Sequence, residues 1–144
     1  NTSQPVKNMI IKKAQYLNIS KHLIFHNKKP VGPELFKLYK DCQIFILPSY
    51  YEGFPRTIWE AMANCTPVVS TNVGSIPLYT THKENILITE PGAIKSLASG
   101  IEKLIEDKSF RKKIIKGGNK LVKEMTLENQ TKILFNHIYK ELHS

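Results

Sequence analysis

At 144 residues the chain is long enough for one ordinary domain with a real core. Its hydrophobic fraction of 41% and charged fraction of 23% are those of a globular protein. No apolar run nears the roughly 18–20 residues that span a bilayer, and the N-terminus lacks a signal-peptide pattern. The formal charge of +9 suits nucleic acid, an anionic membrane surface or phosphorylated ligands. Its lysines are spread along helical stretches such as Lys12-Lys13, Lys112-Lys113 and Lys116, and no basic-aromatic platform accompanies them. Solvated helix faces are the expectation and nucleic-acid binding is not. Cys42 and Cys65 have neither metal-ligand spacing nor the density of a disulfide scaffold, so a reducing, cytoplasmic setting is expected.

In chain order, Asn1 to Pro5 is polar and turn-like. Val6, Met9, Ile10, Ala14 and Leu17 then fall at helical spacing, with Pro5 suited to the first turn and Asn18 to the stop. Leu23-Ile24-Phe25 reads as a strand, His26 to Gly32 as a loop, and Pro33 opens a helix through Tyr39. Ile44 to Leu47 is an unbroken apolar run, which predicts a strand buried on both faces. A helix near Arg56 to Asn64 and a strand around Pro67 to Thr71 follow. Gly74 to Glu84 reads as a loop and Ile86 to Ile88 as a brief strand. Ile94, Leu97, Ala98, Ile101, Leu104 and Ile105 form a clear helical stripe. A helix over about Ser109 to Lys123 is expected to be weakened by Gly117-Gly118. Thr126 suits the N-cap of a last helix with Leu127, Leu134, Ile138 and Leu142 on one face. The alternation predicts one α/β domain over residues 1–144, a Rossmann-like parallel sheet of about four strands with helices on both faces.

Ligands of such sheets bind at the carboxyl ends of the strands. At the end of the Ile44 to Leu47 strand lies YYEGFPRTIWE, with Glu52 in a loop and Glu60 on the helix, eight positions on. An ionised carboxylate accepts hydrogen bonds from adjacent hydroxyls, and backbone amides at a helix start suit phosphate. The stretch therefore fits a sugar nucleotide, whereas the bare spacing of two glutamates is common and capping chemistry explains one of them. The histidines, His22, His26, His82, His137 and His143, show no metal-ligand spacing, and His26 sits at a strand end where it could face a cleft. Trp59 and Met62 read as core rather than as a nucleobase platform.

The stretch LPSYYEGFPRTIWEAMANCTPVVSTNVGSIP resembles the signature of glycosyltransferase family 4, the group 1 glycosyltransferases, and VKNMIIKKAQYLNI, LIFHNKKPVGPELFKLYKDCQIFILPS and ENILITEPG resemble its flanks. The resemblance implies the C-terminal, donor-binding domain of a retaining hexosyltransferase of GT-B fold, engaged in polysaccharide biosynthesis and needing no metal or cofactor. It implies that Glu60 holds the ribose of a UDP- or GDP-linked sugar, and that Glu52, the catalytic candidate, contacts the donor sugar near the reacting carbon. The backbone of Gly53, Phe54, Pro55, Arg56 and Thr57 would meet the sugar and diphosphate. The acceptor, a saccharide or lipid-linked molecule, would be held by an N-terminal domain, and the enzyme would be cytoplasmic or peripheral on the inner face of the membrane.

Departures from the pattern are Pro55, Cys65, Asn27 and Ile86 where the family usually has glycine, and Leu78 where it usually has glutamate. Pro55 removes one N–H donor, Arg56 adds a cation beside it, and Asn27 is expected to serve a turn of positive φ. The family's usual first strand and its diphosphate-binding arginine and lysine have no counterpart in the chain, so an isolated chain is expected to be inactive. Two alternatives stand beside this reading. One is a non-catalytic, degenerate transferase module for partner or anionic membrane-surface contact, and the other is a different GT-B enzyme such as a starch or glycogen synthase.

Overall fold

The structure is a computed structural model that describes residues 4–143. The chain forms two compact units, Asn1–Leu35 and Phe36–Ser144.

In the first unit, helix α1 runs over Gln4–Tyr16, so the turn-like start expected for Asn1 to Pro5 is helical from Gln4, and residues 1–3 lie outside the described range. Asn18 ends the helix at φ 55°, with its N–H bonded to the Gln15 carbonyl and the Ile19 N–H to the Ala14 carbonyl. This pair of bonds is a Schellman stop, and it places asparagine where a left-handed residue is required. A 3-10 turn, Ser20–His22, follows. Leu23 to Phe25 are not a strand. Leu23 is extended, but no neighbouring strand pairs with the segment among the described residues, and Ile24 is 74% exposed. β-prone side chains do not make a strand without a partner ladder.

Helix α2 (Pro33–Asp41) starts at the expected proline. The second unit contains strands β1 (Phe45–Leu47), β2 (Val68–Thr71) and β3 (Leu87–Thr89) in one parallel sheet of order β1-β2-β3. Phe45, Ile46 and Leu47 pair with Val68, Val69 and Ser70, and Val69, Ser70 and Thr71 pair with Leu87, Ile88 and Thr89. Among the described residues the sheet thus has three strands where about four were expected. β2, paired on both sides, is buried along its whole length. β1 is an edge strand, and Ile46 is 39% exposed, so the expected burial on both faces does not hold there.

Helices α3 (Arg56–Ala63), α4 (Ile76–Tyr79), α5 (Ile94–Glu106), α6 (Lys108–Glu124) and α7 (Leu127–Leu142) flank the sheet or follow it. Alternation puts Val69 and Leu87 on one face, where they form a buried cluster with Leu104 and Ile114, bordered by Ile44, Leu97, Ile101 and Phe110. Burying each such side chain stabilises the fold by about 1.5–3 kcal/mol. On the opposite face Phe45 meets Tyr39 edge-on, with ring centroids 5.5 Å apart. The segment read as a loop from Gly74 to Glu84 contains α4.

Gly117 and Gly118 do not break α6. A Cβ on Gly117 would overlap the Glu84 carbonyl oxygen, so these glycines are where the helix meets the Glu84-Asn85 backbone. Asp107 caps α6 by accepting from the Phe110 N–H. Thr126, the expected N-cap, caps α7 by accepting from the Asn129 N–H. The α7 stripe Leu127, Leu134, Ile138 and Leu142 is exposed. Among the described residues, no helix is long and apolar enough to cross a membrane.

Candidate functional site

β1 ends at Leu47, and the loop from Pro48 to Pro55 carries the first carboxylate over the end of the sheet. Ser49 anchors this loop twice. Its carbonyl accepts from the Thr71 hydroxyl at 2.6 Å, and its own hydroxyl donates to Glu52 Oε1 at 2.6 Å. Thr71 is the last residue of β2, so the neighbouring strand fixes the base of the loop that presents Glu52.

The far side of the loop is fixed by its carbonyls. Gly53 O accepts from both the N–H and the hydroxyl of Ser75, at 3.0 and 2.6 Å. Gly74, at φ 57°, lies so close that a Cβ there would overlap the Glu52 carbonyl oxygen. With its carbonyls turned to Gly74-Ser75, the loop leaves the Gly53 and Phe54 N–H groups without a protein acceptor among the described residues. Pro55 occupies the N-cap of α3, extended at φ −75° and ψ 93°, and offers no side-chain cap. Arg56 and Thr57 are the first two helical residues, whose N–H groups have no intrahelical partner. Pro55 costs the site one donor, but its fixed φ sets the entry to the helix.

α3 buries Ile58, Ala61 and Met62. Glu60 lies beside that buried face with its side chain 17% exposed. The Tyr39 hydroxyl donates to Glu60 Oε2 at 3.0 Å, and Arg56 Nη2 stands 3.8 Å from Oε1. Burial first, and then the Glu60 carboxylate, push the Tyr39 phenol up to about 12, so it remains a donor at neutral pH. The Arg56 side chain is 74% exposed, and so loose a pair adds little stability.

Beside Glu60 is an open cavity of about 390 Å³ lined by Phe54, Arg56, Trp59, Glu60 and Tyr79 together with residues of α6, α7 and the turn between them. Phe54 stacks on Trp59 with centroids 5.4 Å apart, and Tyr79 meets both rings edge-on. Met62 is core, as expected, whereas Trp59 lines this cavity.

Other expectations divide. Cys65 takes φ 59°, the left-handed conformation that suits the glycine it replaces. Asn27 does not: the non-glycine residues of positive φ among those described are Asn18, Cys65 and Lys83. His26 is exposed in the first unit. His82 accepts a hydrogen bond from the Ile88 N–H through Nδ1, and burial, then repulsion from Lys83, lower its pKa from the ordinary 6.5. Among the described residues no group of three histidine, cysteine, aspartate or glutamate side chains could hold a metal ion.

Sequence reasoning missed Tyr39, Ser49, Gly74, Ser75 and Tyr79. Ser49 was within reach, because it stands only three positions before Glu52 and its hydroxyl can donate to a carboxylate. Tyr39 was not, since it precedes Glu60 by 21 positions and only the tertiary fold joins them.

A family model described as Glycosyl transferases group 1 matches residues 3–121. The capsular polysaccharide biosynthesis glycosyltransferase CapM of Staphylococcus aureus is 36% identical over 100 residues, which are 69% of this chain and 25% of that protein. The C-terminal domain of the glycosyl transferase group 1 family protein LpcC from Francisella tularensis has a TM-score of 0.77 at 28% identity, covering 85% of this chain and 63% of that one. Anabaena Alr3699/HepE, in a structure with UDP, has a TM-score of 0.82 and covers 93% of this chain and 37% of that one. Its 22% identity shows a shared fold alone. The chain spans about a quarter of the length of the curated relatives it matches.

Proposed function

The chain belongs to the glycosyl transferases group 1 family, and on that premise we propose that it is the nucleotide-sugar-binding, C-terminal domain of a retaining hexosyltransferase. Glu60 receives the ribose hydroxyls of the donor. Glu52 receives hydroxyls of the transferred sugar beside the reacting carbon. The open N–H groups of Gly53, Phe54, Arg56 and Thr57 take the sugar and the diphosphate, with the Arg56 guanidinium adding positive charge. Pro55 shapes this arc without donating. No metal is needed, because helix start and cation offset the diphosphate charge.

The observation that carries this reading is the arrangement around α3. Two carboxylates, each held by one protein hydroxyl, flank a run of backbone amides that the protein leaves open. A carboxylate held by one donor keeps further lone pairs for a ligand's hydroxyls. The HepE structures of the same fold contain UDP and UDP-glucose, which supports a sugar-nucleotide donor here. The capsular polysaccharide biosynthesis in the name of CapM supports a saccharide acceptor; a lipid-linked acceptor, met from the cytoplasm at the inner face of the membrane, is part of the same proposal.

The test is a titration with UDP-glucose and with GDP-mannose, followed through amide chemical shifts. Shifts clustered at residues 52 to 60 are expected with one of the two. No shifts in that stretch at millimolar donor contradict the reading.

A further inference from the structure

We infer that Tyr39 is a positioning residue for the donor's ribose: its hydroxyl holds the Glu60 carboxylate in the orientation that receives the two ribose hydroxyls. The inference rests on the proposed role of Glu60, and nothing in the family signature around residues 47 to 69 points to it.

The geometry is specific. Tyr39 lies in the last turn and a half of α2 and is only 5% exposed, yet its hydroxyl reaches Glu60 Oε2 on α3 at 3.0 Å. The ring is held from a second direction by its edge contact with Phe45 at the start of β1. The backbone is held from a third, because the Tyr39 carbonyl accepts from the buried Thr66 hydroxyl at 2.7 Å, just past the end of α3. A tyrosine fixed by helix, strand and loop is a rigid donor, with few torsions to order when a ligand arrives.

Glu60 by contrast is a long side chain whose other partner, Arg56, is 74% exposed and stands at 3.8 Å, beyond direct hydrogen-bond range. Without the phenol, nothing short and directional among the described residues fixes the carboxylate. One phenol takes one of the carboxylate's roughly four lone-pair sites, so the oxygens it orients remain able to accept a vicinal diol. The same burial that makes Tyr39 rigid keeps its proton in place through the physiological range.

A purely structural tyrosine and a positioning tyrosine differ in what their loss does to ligands with and without ribose hydroxyls. The experiment uses the full-length protein and compares UDP and GDP with their 2′,3′-dideoxy counterparts by titration calorimetry, in the parent, Tyr39→Phe, Glu60→Gln and the double variant. Tyr39→Phe keeps the ring and its contact with Phe45. It is expected to weaken the preferred ribonucleotide about tenfold, to leave the dideoxy compound within about twofold, and to raise donor KM with kcat nearly unchanged. The double variant is expected to bind no more weakly than Glu60→Gln, because both changes remove one unit.

Equal losses for ribo- and dideoxynucleotides would make Tyr39 merely structural and overturn the inference. So would a ribose-specific loss in Glu60→Gln with none in Tyr39→Phe, an outcome that leaves the proposed function standing. If Glu60→Gln itself shows no ribose-specific loss, or neither nucleotide binds the parent, the role of Glu60 fails and takes the inference with it. Should Tyr39→Phe not fold, Phe45→Leu loosens the ring without touching the hydroxyl. It must then weaken the ribonucleotide more than the dideoxy compound, and parallel losses overturn the inference.

Discussion

Ser49 donates its hydroxyl to Glu52 Oε1 at 2.6 Å while its carbonyl accepts from Thr71 at the end of β2, so the neighbouring strand sets the aim of the proposed catalytic carboxylate. A short hydrogen bond to a charged acceptor is worth about 1.5–3 kcal/mol. Ser49→Ala is expected to lower kcat roughly tenfold, with donor KM changed less than threefold, because the proposed place of Glu52 is nearest the reacting carbon. Steady-state kinetics of the full-length enzyme check this, and a pure KM effect contradicts it.

Gly74 closes the other side of the loop. Its φ of 57° disfavours a side chain, and the Glu52 carbonyl oxygen already fills the space a Cβ would take. Gly74→Ala is expected to destabilise the fold by about 2–4 kcal/mol and to displace the Glu52-Gly53 peptide. Denaturant unfolding measures the first effect. Donor binding in the surviving folded protein measures the second, and an unchanged affinity would separate the loop from the site.

Cys65 carries a left-handed conformation at φ 59° in a position where a β-carbon is a cost. Cys65→Gly removes that cost but makes the unfolded chain more flexible, and it gives up the long Asn119 contact to Sγ at 3.5 Å. The balance is an expected gain of about 0.5 kcal/mol in unfolding free energy. A loss of similar size would show that the strain is absorbed elsewhere.

The His82 ring accepts from the Ile88 N–H in the middle of β3, and it does so only when neutral at Nδ1. Its folded pKa lies below the unfolded 6.5, so the fold takes up the proton less readily than the unfolded chain. Its stabilising contribution is therefore present above about pH 6.5 and is lost as the pH falls through the lowered folded value. His82→Asn keeps an acceptor without a titrating ring, and its unfolding free energy is expected to fall less steeply with pH over that window. Parallel slopes in the two proteins would exclude His82 as the origin.

Much of this was legible in the sequence, for local reasons. Pro33 at a helix start, Asn18 at a helix stop and Thr126 at an N-cap each announce a backbone geometry through their own chemistry. Glu52 and Glu60 were singled out as candidates through the long run of residues around them rather than through their spacing. What was not legible depends on partners distant in sequence. Leu23 to Phe25 have β-prone side chains and, among the described residues, no ladder to join. Gly117 and Gly118 look like helix breakers until the Glu84-Asn85 backbone is seen lying against them. Tyr39 was one aromatic of a helical stripe until the fold carried it to Glu60.

The central claim divides the two carboxylates between binding and chemistry, and full-length steady-state kinetics of Glu60→Gln and Glu52→Gln test it most directly. The account predicts that Glu60→Gln raises donor KM about tenfold or more with kcat within a few-fold, and that Glu52→Gln lowers kcat by about 100-fold or more with little change in KM. Parent-like constants in both variants, or the same change in both, would contradict it.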